Sequence, residues 1–319
     1  MASLPEPPAP DGPLFVYGLL KPRELAYPVI EKYVSEMGAG TVRGCLRLRD
    51  GLPLFDPAGP GQVSGCLLRF DPLRSQEAWE AIGNFAPYKH YKYATADVAM
   101  TGEHVQANVL VGRRIGNGTA PELVDCWSVV LDPAFVEGLA GVSALTIETA
   151  PGGVASQPDG PKFWRVFFRL QAAYLLLWSV VERYTALRYG PGLGPAERIR
   201  LLGAEPVFRT AVIEVGAVGS EVYDARDPAH KVVIRADGSC AGDYFYQIRS
   251  NLSHRGKSAF RDGQLVFNAL VQLHDAMRIL LVQQVPALAD EWHPEPEGWS
   301  LRPRTAHGAL VAGRSALDD

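Results

Sequence analysis

The stretch LFVYGLLKP, residues 14–22, is the main indication of the fold of the first third of this chain. Apolar residues run from Leu14 to Leu20, and a short apolar run bounded by turn residues is typical of a buried β-strand. Gly18 lies inside the run. A glycine there either lets a ligand approach the backbone closely or is needed only for the geometry of the sheet.

Further strand patterns follow as far as Arg114. Two alternating segments and a hairpin across the TGEH turn predict strands, and two helices are expected to interrupt them. The strand segments are Thr41–Asp50, Gln62–Asp71, YKYATADVAM (91–100) and VQANVLVGRR (105–114), and the helices are Glu24–Glu36 and Ser75–Ile82. Repeated strands within about 100 residues predict a small mixed β-barrel over residues 13–114.

The pattern changes in the second half of the chain. Residues 115–160 are predicted to be a linker with short helices, because TAPGGVASQPDGP has the composition of a linker. Apolar spacings of three and four predict a long helix at Phe163–Tyr189, and more helices up to residue 290. We therefore expect an α+β protein, with a helical bundle at 161–290 and a disordered tail at 291–319.

Bulk composition limits the environment and the cofactors. The N-terminal MASLPEPPAPDGP has neither a basic start nor an apolar core, so it is predicted to be neither a signal peptide nor a structural element. No apolar run is long enough to predict a membrane span. The four cysteines are far apart, which argues against a zinc site and disulfides and favours a cytoplasmic location. No metal or other cofactor is expected.

Positive charge gathers in the second half of a mildly acidic chain. The net charge is −4, yet residues 160–290 contain sixteen Lys and Arg against twelve Asp and Glu. Within YFYQIRSNLSHRGKSAFRD (244–262), Arg249 can hold a phosphodiester and His254 can transfer a proton near neutral pH. Five positions on an ideal helix separate them by roughly 140°. Either the helix unwinds near Gly256, or two copies of the chain bring the groups together.

The segment IRSNLSHRGKS resembles the Arg-x4–6-His signature of HEPN domains. That family has bundles of four or five helices, often dimeric, and many members are metal-independent endoribonucleases; others are scaffolds or partners of nucleotidyltransferases. The resemblance implies RNA as a partner, a homodimer through the helical domain, and a set of site residues. Arg249, His254, Ser250 and Asn251 would be catalytic, and Arg255 and Lys257 would bind substrate. His274, on the last helix, is expected at the edge of the core or in solvent; the alternative is that it joins the His254 site, if the two helices pack closely.

The first half resembles the γ-glutamylcyclotransferase/AIG2-like family. LFVYGLLKP is similar to its YGTLRxG opening, and GQVSGCLLRFD and HYKYATADV are similar to later strands in family order. The resemblance implies that the backbone at Tyr17, Gly18, Leu19 and Leu20 binds the substrate. A glutamate in an L-D-x-x-E-G segment is the family's acid/base, but Gly83 stands at that place in the equivalent WEAIGNF. Glu80, one turn earlier, is a stand-in for that glutamate, the counterpart of the family's aspartate, or a solvated helix residue.

Three hypotheses about function follow. The first is metal-independent RNA cleavage by Arg249 and His254, with a ligand-sensing or regulatory barrel, as in a bacterial defence effector. The second is γ-glutamyl amine chemistry in the barrel, with a non-catalytic helical dimerisation module. The third is a binding protein without catalysis. An acidic side chain within reach of the Tyr17–Leu20 backbone would favour the second.

Overall fold

The computed structural model describes residues 4–49, 51–86, 90–113, 123–149, 161–190, 192–227, 229–254 and 259–291. The chain divides into two compact units. The first, called here the barrel unit, comprises Met1–Pro133 and Ala186–Gly194. The second, the helical unit, comprises Ala134–Thr185 and Pro195–Asp319. Residues 115–160, predicted to be a linker, are thus divided between the units, and the predicted tail beyond Glu291 lies outside the described residues.

The barrel unit is built from eight strands and one α-helix among its described residues. The strands are β1 (Leu14–Val16), β2 (Val34–Arg43), β3 (Cys45–Arg49), β4 (Leu52–Asp56), β5 (Gln62–Phe70), β6 (Tyr91–Met100), β7 (Glu103–Gly112) and β8 (Leu123–Val124), and the helix is α1 (Ser75–Phe85). The predicted hairpin β6–β7 and the predicted helix at Ser75 are confirmed.

Five strands close into a barrel in the order β1-β5-β2-β6-β7. β1 runs parallel to β7, with Phe15 opposite Val109, and the other neighbours in the barrel are antiparallel. The predicted small mixed barrel is therefore confirmed. β3, β4 and β8 form a separate three-stranded sheet.

Apolar side chains fill one end of the barrel beneath α1. Leu14 and Val16 of β1, with Ala78, Trp79 and Ile82 of α1, belong to one buried cluster. Phe70 and Trp79 pack edge to face, with ring centroids 5.1 Å apart. The amphipathic face of α1 thus covers the apolar end of the barrel, which explains why Ala78 and Ile82 are fully buried.

The prediction of a helix at Glu24–Glu36 is wrong. Two single 3₁₀ turns, Tyr27–Val29 and Glu31–Tyr33, occupy that place. Pro28 has no N–H for helical hydrogen bonds, and Val34 already has extended backbone and pairs with Phe70 in β5. Strand pairing therefore takes over where the apolar spacing predicted a helix.

The N-terminal segment is a structural element, which corrects the prediction made from its composition. Asn108, fully buried on β7, accepts the Ala9 N–H at 3.0 Å and donates to the Ala9 carbonyl at 2.6 Å. The Trp79 indole donates to the Pro10 carbonyl at 2.8 Å. Proline-rich sequence can be held in extended form by such partners, but these lie far along the chain and leave no local signal.

The helical unit contains seven helices among its described residues, one of which crosses its boundary. They are α2 (Glu137–Glu148), α3 (Pro161–Tyr189), α4 (Pro195–Ala204), α5 (Pro206–Glu214), α6 (Ala241–His254), α7 (Ala259–Gln284) and α8 (Leu288–Glu291). A short hairpin, β9 (Glu221–Tyr223) and β10 (Lys231–Val233), precedes α6. The helix predicted at Phe163–Tyr189 is confirmed as part of α3, and the further helices predicted up to residue 290 are confirmed by α4, α5, α6 and α7.

Aromatic side chains form much of the helical core. Tyr174, Tyr184 and Tyr244 are almost completely buried, and Tyr174 donates to the Phe245 carbonyl at 2.9 Å. Within the described residues, Gly263–Gln284 of α7 is the one segment long and apolar enough to cross a membrane, with a mean hydropathy of 1.5. Its most apolar window is 67% buried inside the protein, as in the core helix of a globular unit.

Candidate functional site

The segment after β1 forms a closed loop, called here the β1 loop, from Tyr17 to Ala26. The Lys21 N–H donates to the Gly18 carbonyl at 2.9 Å, and the Ala26 N–H donates to the Leu19 carbonyl at 3.1 Å. These bonds bring the two ends of the loop together. The four residues that the sequence singles out, Tyr17 to Leu20, therefore lie at the start of a compact turn at the end of a barrel strand.

Tyr17 anchors the start of this loop. Its hydroxyl donates to the Leu110 carbonyl at 2.5 Å and accepts the Phe55 N–H at 3.3 Å. Burial raises the pKa of Tyr17 well above its ordinary value. A Cβ on Gly18 would lie 2.8 Å from Pro53 Cγ, so close packing requires glycine there. The side chain of Tyr17 is thus a structural anchor.

The backbone N–H groups of Gly18, Leu19 and Leu20 have no acceptor among the residues that the structure describes. Gly18 and Leu20 are buried, and buried backbone donors are nearly always paired in folded proteins. Successive unpaired N–H groups in a turn form a concave site for an anion or a carbonyl oxygen. This geometry suits the ligand-binding role that the resemblance implies for the loop.

The β1 loop also carries a buried carboxylate that the sequence analysis missed. Glu24 is only 7% exposed and accepts the Val129 N–H at 3.1 Å. Burial raises the pKa of Glu24, and hydrogen bonds from Ser128 and Val129 and the nearby Lys21 charge oppose that rise without cancelling it. Lys21 itself donates to the Trp127 carbonyl at 2.5 Å. The only signal in the sequence is a group of three charged residues, Lys21, Arg23 and Glu24, between two apolar runs.

The raised pKa of Glu24 predicts a pH dependence of stability. The folded barrel unit binds this proton more tightly than the unfolded chain does, so the contribution is fully present below the ordinary glutamate pKa. It is lost as the pH rises through the pKa of the folded state. We expect the free energy of unfolding of the wild type, minus that of Glu24→Gln, to fall as the pH rises from the ordinary glutamate pKa through the higher pKa of the folded state. Urea unfolding at a series of pH values measures it, and a constant or growing difference would contradict it.

Glu80 has a different environment from Glu24. It is exposed on α1, and its carboxylate accepts a hydrogen bond from Gln76 at 3.2 Å. It lines a groove of about 680 Å³ between α1 and the N-terminal segment, together with Glu6 and Asp11. Gly83 is buried, and its carbonyl accepts the Leu4 N–H at 3.4 Å. Nothing in this solvated setting favours a proton-transfer role for Glu80.

On the helical side, α6 continues unbroken through His254. Arg249 and His254 are therefore five positions apart on one helix, without unwinding between them. Arg249 is half-buried, and its Nε–H has no hydrogen-bond acceptor within the described part of the chain. Ser250 is half-buried on the same helix. Arg255 and Lys257 lie outside the described residues, as does the side chain of His254, so the predicted constellation of these groups stays a prediction.

Asn251 is engaged in holding the β9–β10 hairpin. Its side-chain oxygen accepts the Ala225 N–H at 3.1 Å and a hydrogen bond from Gln247 at 3.0 Å. Its amide donates to the Tyr223 carbonyl at 2.8 Å. These bonds fix Asn251 against the backbone of the hairpin, so its present contacts are structural.

His274 is fully buried, not at the core edge or in solvent as the sequence predicted. Its Nε2 lies 3.0 Å from Ser143 Oγ, and its Nδ1 lies 3.4 Å from Asp275 Oδ1. The contacts run from Ser143 to His274 and from His274 to Asp275, as in the Ser-His-Asp triad of a hydrolase. Ser143 is 6% exposed in the middle of α2, where the helix uses the neighbouring N–H groups, so no backbone donors are available for an oxyanion. The three groups join α2 to α7.

The described residues contain no cluster of three or more His, Cys, Asp or Glu side chains placed to hold a metal ion. All four cysteines are free. No protein-family model matches the chain, and no curated protein matches it.

Several solved structures resemble the N-terminal part of the chain. A mouse AIG2-like protein is 18% identical over 37% of this chain and 88% of its own, with a TM-score of 0.29. An Arabidopsis thaliana protein is 17% identical over 50% of this chain and 95% of its own, also with a TM-score of 0.29. YkqA from Bacillus subtilis is 18% identical over 31% of this chain and 35% of its own, with a TM-score of 0.26. Likenesses this low carry no argument about activity, and none of the comparisons shows a HEPN domain.

Proposed function

We propose that the barrel unit binds a γ-glutamyl amine at the β1 loop and cyclises it to 5-oxoproline, with Glu24 as the acid/base. The observation that carries the proposal is a buried carboxyl group, with its pKa raised by burial, in the same loop as three unpaired backbone N–H groups. The resemblance of LFVYGLLKP to the cyclotransferase opening supplies the reaction class. Glu24 takes the role for which Gly83 has no side chain.

The proposed reaction needs one group that accepts and returns a proton. The α-amino nitrogen of the γ-glutamyl group attacks the γ-carbonyl carbon, forming the ring C–N bond, while the bond from that carbon to the leaving amine breaks. Glu24 accepts the proton that the attacking nitrogen loses and donates it to the leaving amine, so no oxidant or co-reactant is needed. A carboxyl group whose pKa lies above its ordinary value is better matched to this work near neutral pH.

The reaction also needs stabilisation of the negative charge that develops on an oxygen, and the unpaired N–H groups of Gly18, Leu19 and Leu20 would supply it. Fixed backbone donors stabilise negative charge that develops on an oxygen, and they need no rearrangement to do so. The Lys21 charge near Glu24 adds to the positive potential of the loop. The β1 loop thus contains, within ten residues, backbone hydrogen-bond donors and the Glu24 carboxyl group that would transfer the proton.

Incubation of the full chain with a panel of γ-glutamyl amines tests the proposal. We expect equimolar release of 5-oxoproline and free amine from at least one member, measured by chromatography and mass spectrometry. Recovery of every γ-glutamyl amine intact, with no rise in melting temperature on addition of any of them, would overturn it.

A second candidate function is RNA cleavage by the helical unit, and the buried Nε–H of Arg249 favours it. A guanidinium N–H without an acceptor is suited to an anionic partner such as a phosphodiester. His254 would move the proton, and because α6 is unbroken between the two residues, a second copy of the chain would complete the site.

Incubation with total RNA in the presence of EDTA tests this second function. We expect cleavage that leaves 2′,3′-cyclic phosphate ends and that His254→Ala abolishes. His230→Ala is the matched control, because His230 is an exposed loop residue and its loss should leave cleavage unchanged. Intact RNA with the wild type, or equal losses in both variants, would contradict it.

A further inference from the structure

The phenol oxygen of Tyr93 is buried and has no hydrogen-bond partner among the residues that the structure describes. Tyr93 lies on β6, directly opposite Leu110 of β7. The Tyr17 hydroxyl, in contrast, donates to the carbonyl of that same Leu110. Of these two tyrosines, Tyr17 thus has a paired hydroxyl, and Tyr93 has one without a partner among the described residues.

The surroundings of Tyr93 are apolar. Its ring packs edge to face on Trp79, with centroids 5.7 Å apart, and burial raises the pKa of its hydroxyl. Phenylalanine would make the same ring contacts without burying an unpaired hydroxyl, which costs about 1–3 kcal/mol in a folded protein. A buried polar group without a partner calls for an explanation, and a ligand that supplies the partner is one.

Tyr93 packs against the cluster that also holds Leu20 of the β1 loop. Leu19 packs against that cluster too. Tyr93, which carries the unpaired hydroxyl, and Leu19 and Leu20, which carry two of the unpaired N–H groups, therefore belong to or pack against one apolar cluster.

We propose that Tyr93 is a specificity-determining residue whose hydroxyl hydrogen-bonds to the small molecule held by the β1 loop. The inference rests on the proposed function, since the molecule it contacts is the γ-glutamyl amine. Tyr93 touches a part of that molecule away from the loop N–H groups and takes no part in proton transfer. It selects molecules that carry a second polar atom there over molecules that carry only hydrocarbon.

The substitution Tyr93→Phe separates this role from a structural one. Because no partner is lost, the unliganded variant is expected to melt at the same temperature as the wild type or higher. With the γ-glutamyl amine that the wild type turns over best, KM is expected to rise by about tenfold while kcat changes little. Tyr17→Phe is the matched control and is expected to melt lower, because its hydroxyl has two partners.

The outcomes distinguish the two proposals. A Tyr93→Phe variant that melts clearly lower than the wild type, or an active wild type whose KM does not change on this substitution, overturns the role of Tyr93 and leaves the cyclotransferase proposal standing. A wild type that neither releases 5-oxoproline nor is stabilised by any γ-glutamyl amine removes the proposed function, and the role of Tyr93 with it.

Discussion

Replacement of Glu24 by Gln is expected to lower the rate of 5-oxoproline formation by about 10²–10⁴-fold, the usual contribution of a general acid/base. A glutamine at this position is nearly the same size and keeps an oxygen to accept the Val129 N–H, which Glu24 accepts at 3.1 Å. It cannot take up the proton from the attacking amine. We therefore expect kcat to fall while KM and the folded structure change little, as measured by product formation at saturating substrate and by circular dichroism.

Glu80→Gln is the control for that experiment. Glu80 is the other glutamate considered for the role, it is exposed, and its contact with Gln76 is one that glutamine can also make. Its replacement is expected to leave kcat unchanged. An active Glu24→Gln variant with the wild-type rate would exclude Glu24, and a large loss in Glu80→Gln alone would move the role to α1.

Truncation of Trp127 to Ala is expected to destabilise the barrel unit by about 3–5 kcal/mol. Trp127 is completely buried, its indole donates to the Gly51 carbonyl at 2.9 Å, and its own carbonyl accepts from Lys21. The change removes the largest buried side chain of the segment that holds Glu24. Urea unfolding followed by circular dichroism measures the loss, with unfolding of the two units fitted separately.

Trp127→Phe tests the same segment more gently. It keeps an aromatic ring in the core and loses the indole hydrogen bond, so a loss of about 1–2 kcal/mol is expected. Similar losses for the Ala and Phe variants would show that packing of the ring is not what holds this segment, contrary to the complete burial of Trp127.

Local patterns in the sequence were sufficient for much of the fold. The β6–β7 hairpin follows from alternation on both sides of a short turn, and α3 follows from helical spacing. The sequence predicted only the last residues of β2, from Thr41 onward, since Gly38 and Gly40 depress strand propensity before them. Close contacts with β6 explain why glycine is present at these two positions. A Cβ on Gly38 would lie 2.6 Å from Met100 Cε, and a Cβ on Gly40 would lie 2.7 Å from Val98 Cγ1.

The site was less visible in the sequence than the strands. The sequence indicated Tyr17–Leu20 as site residues because they are similar to the opening motif of a known family. It did not indicate Glu24, because the burial of Glu24 depends on Val129, 105 positions later. The docking of the N-terminal segment depends in the same way on Asn108, 99 positions from Ala9. Such contacts are formed by the fold as a whole, and neither partner carries a local pattern that indicates the other.

The protonation of Glu24 is best measured directly, by carbon-detected NMR of protein labelled with ¹³C at the glutamate side-chain carboxyl. The Glu24 signal is identified by its absence from Glu24→Gln. We expect this carboxyl to titrate above the ordinary glutamate range, and its titration to change when a γ-glutamyl amine is added. A Glu24 carboxyl that titrates in the ordinary range and does not respond to the amine would contradict the assignment of acid/base chemistry to the β1 loop.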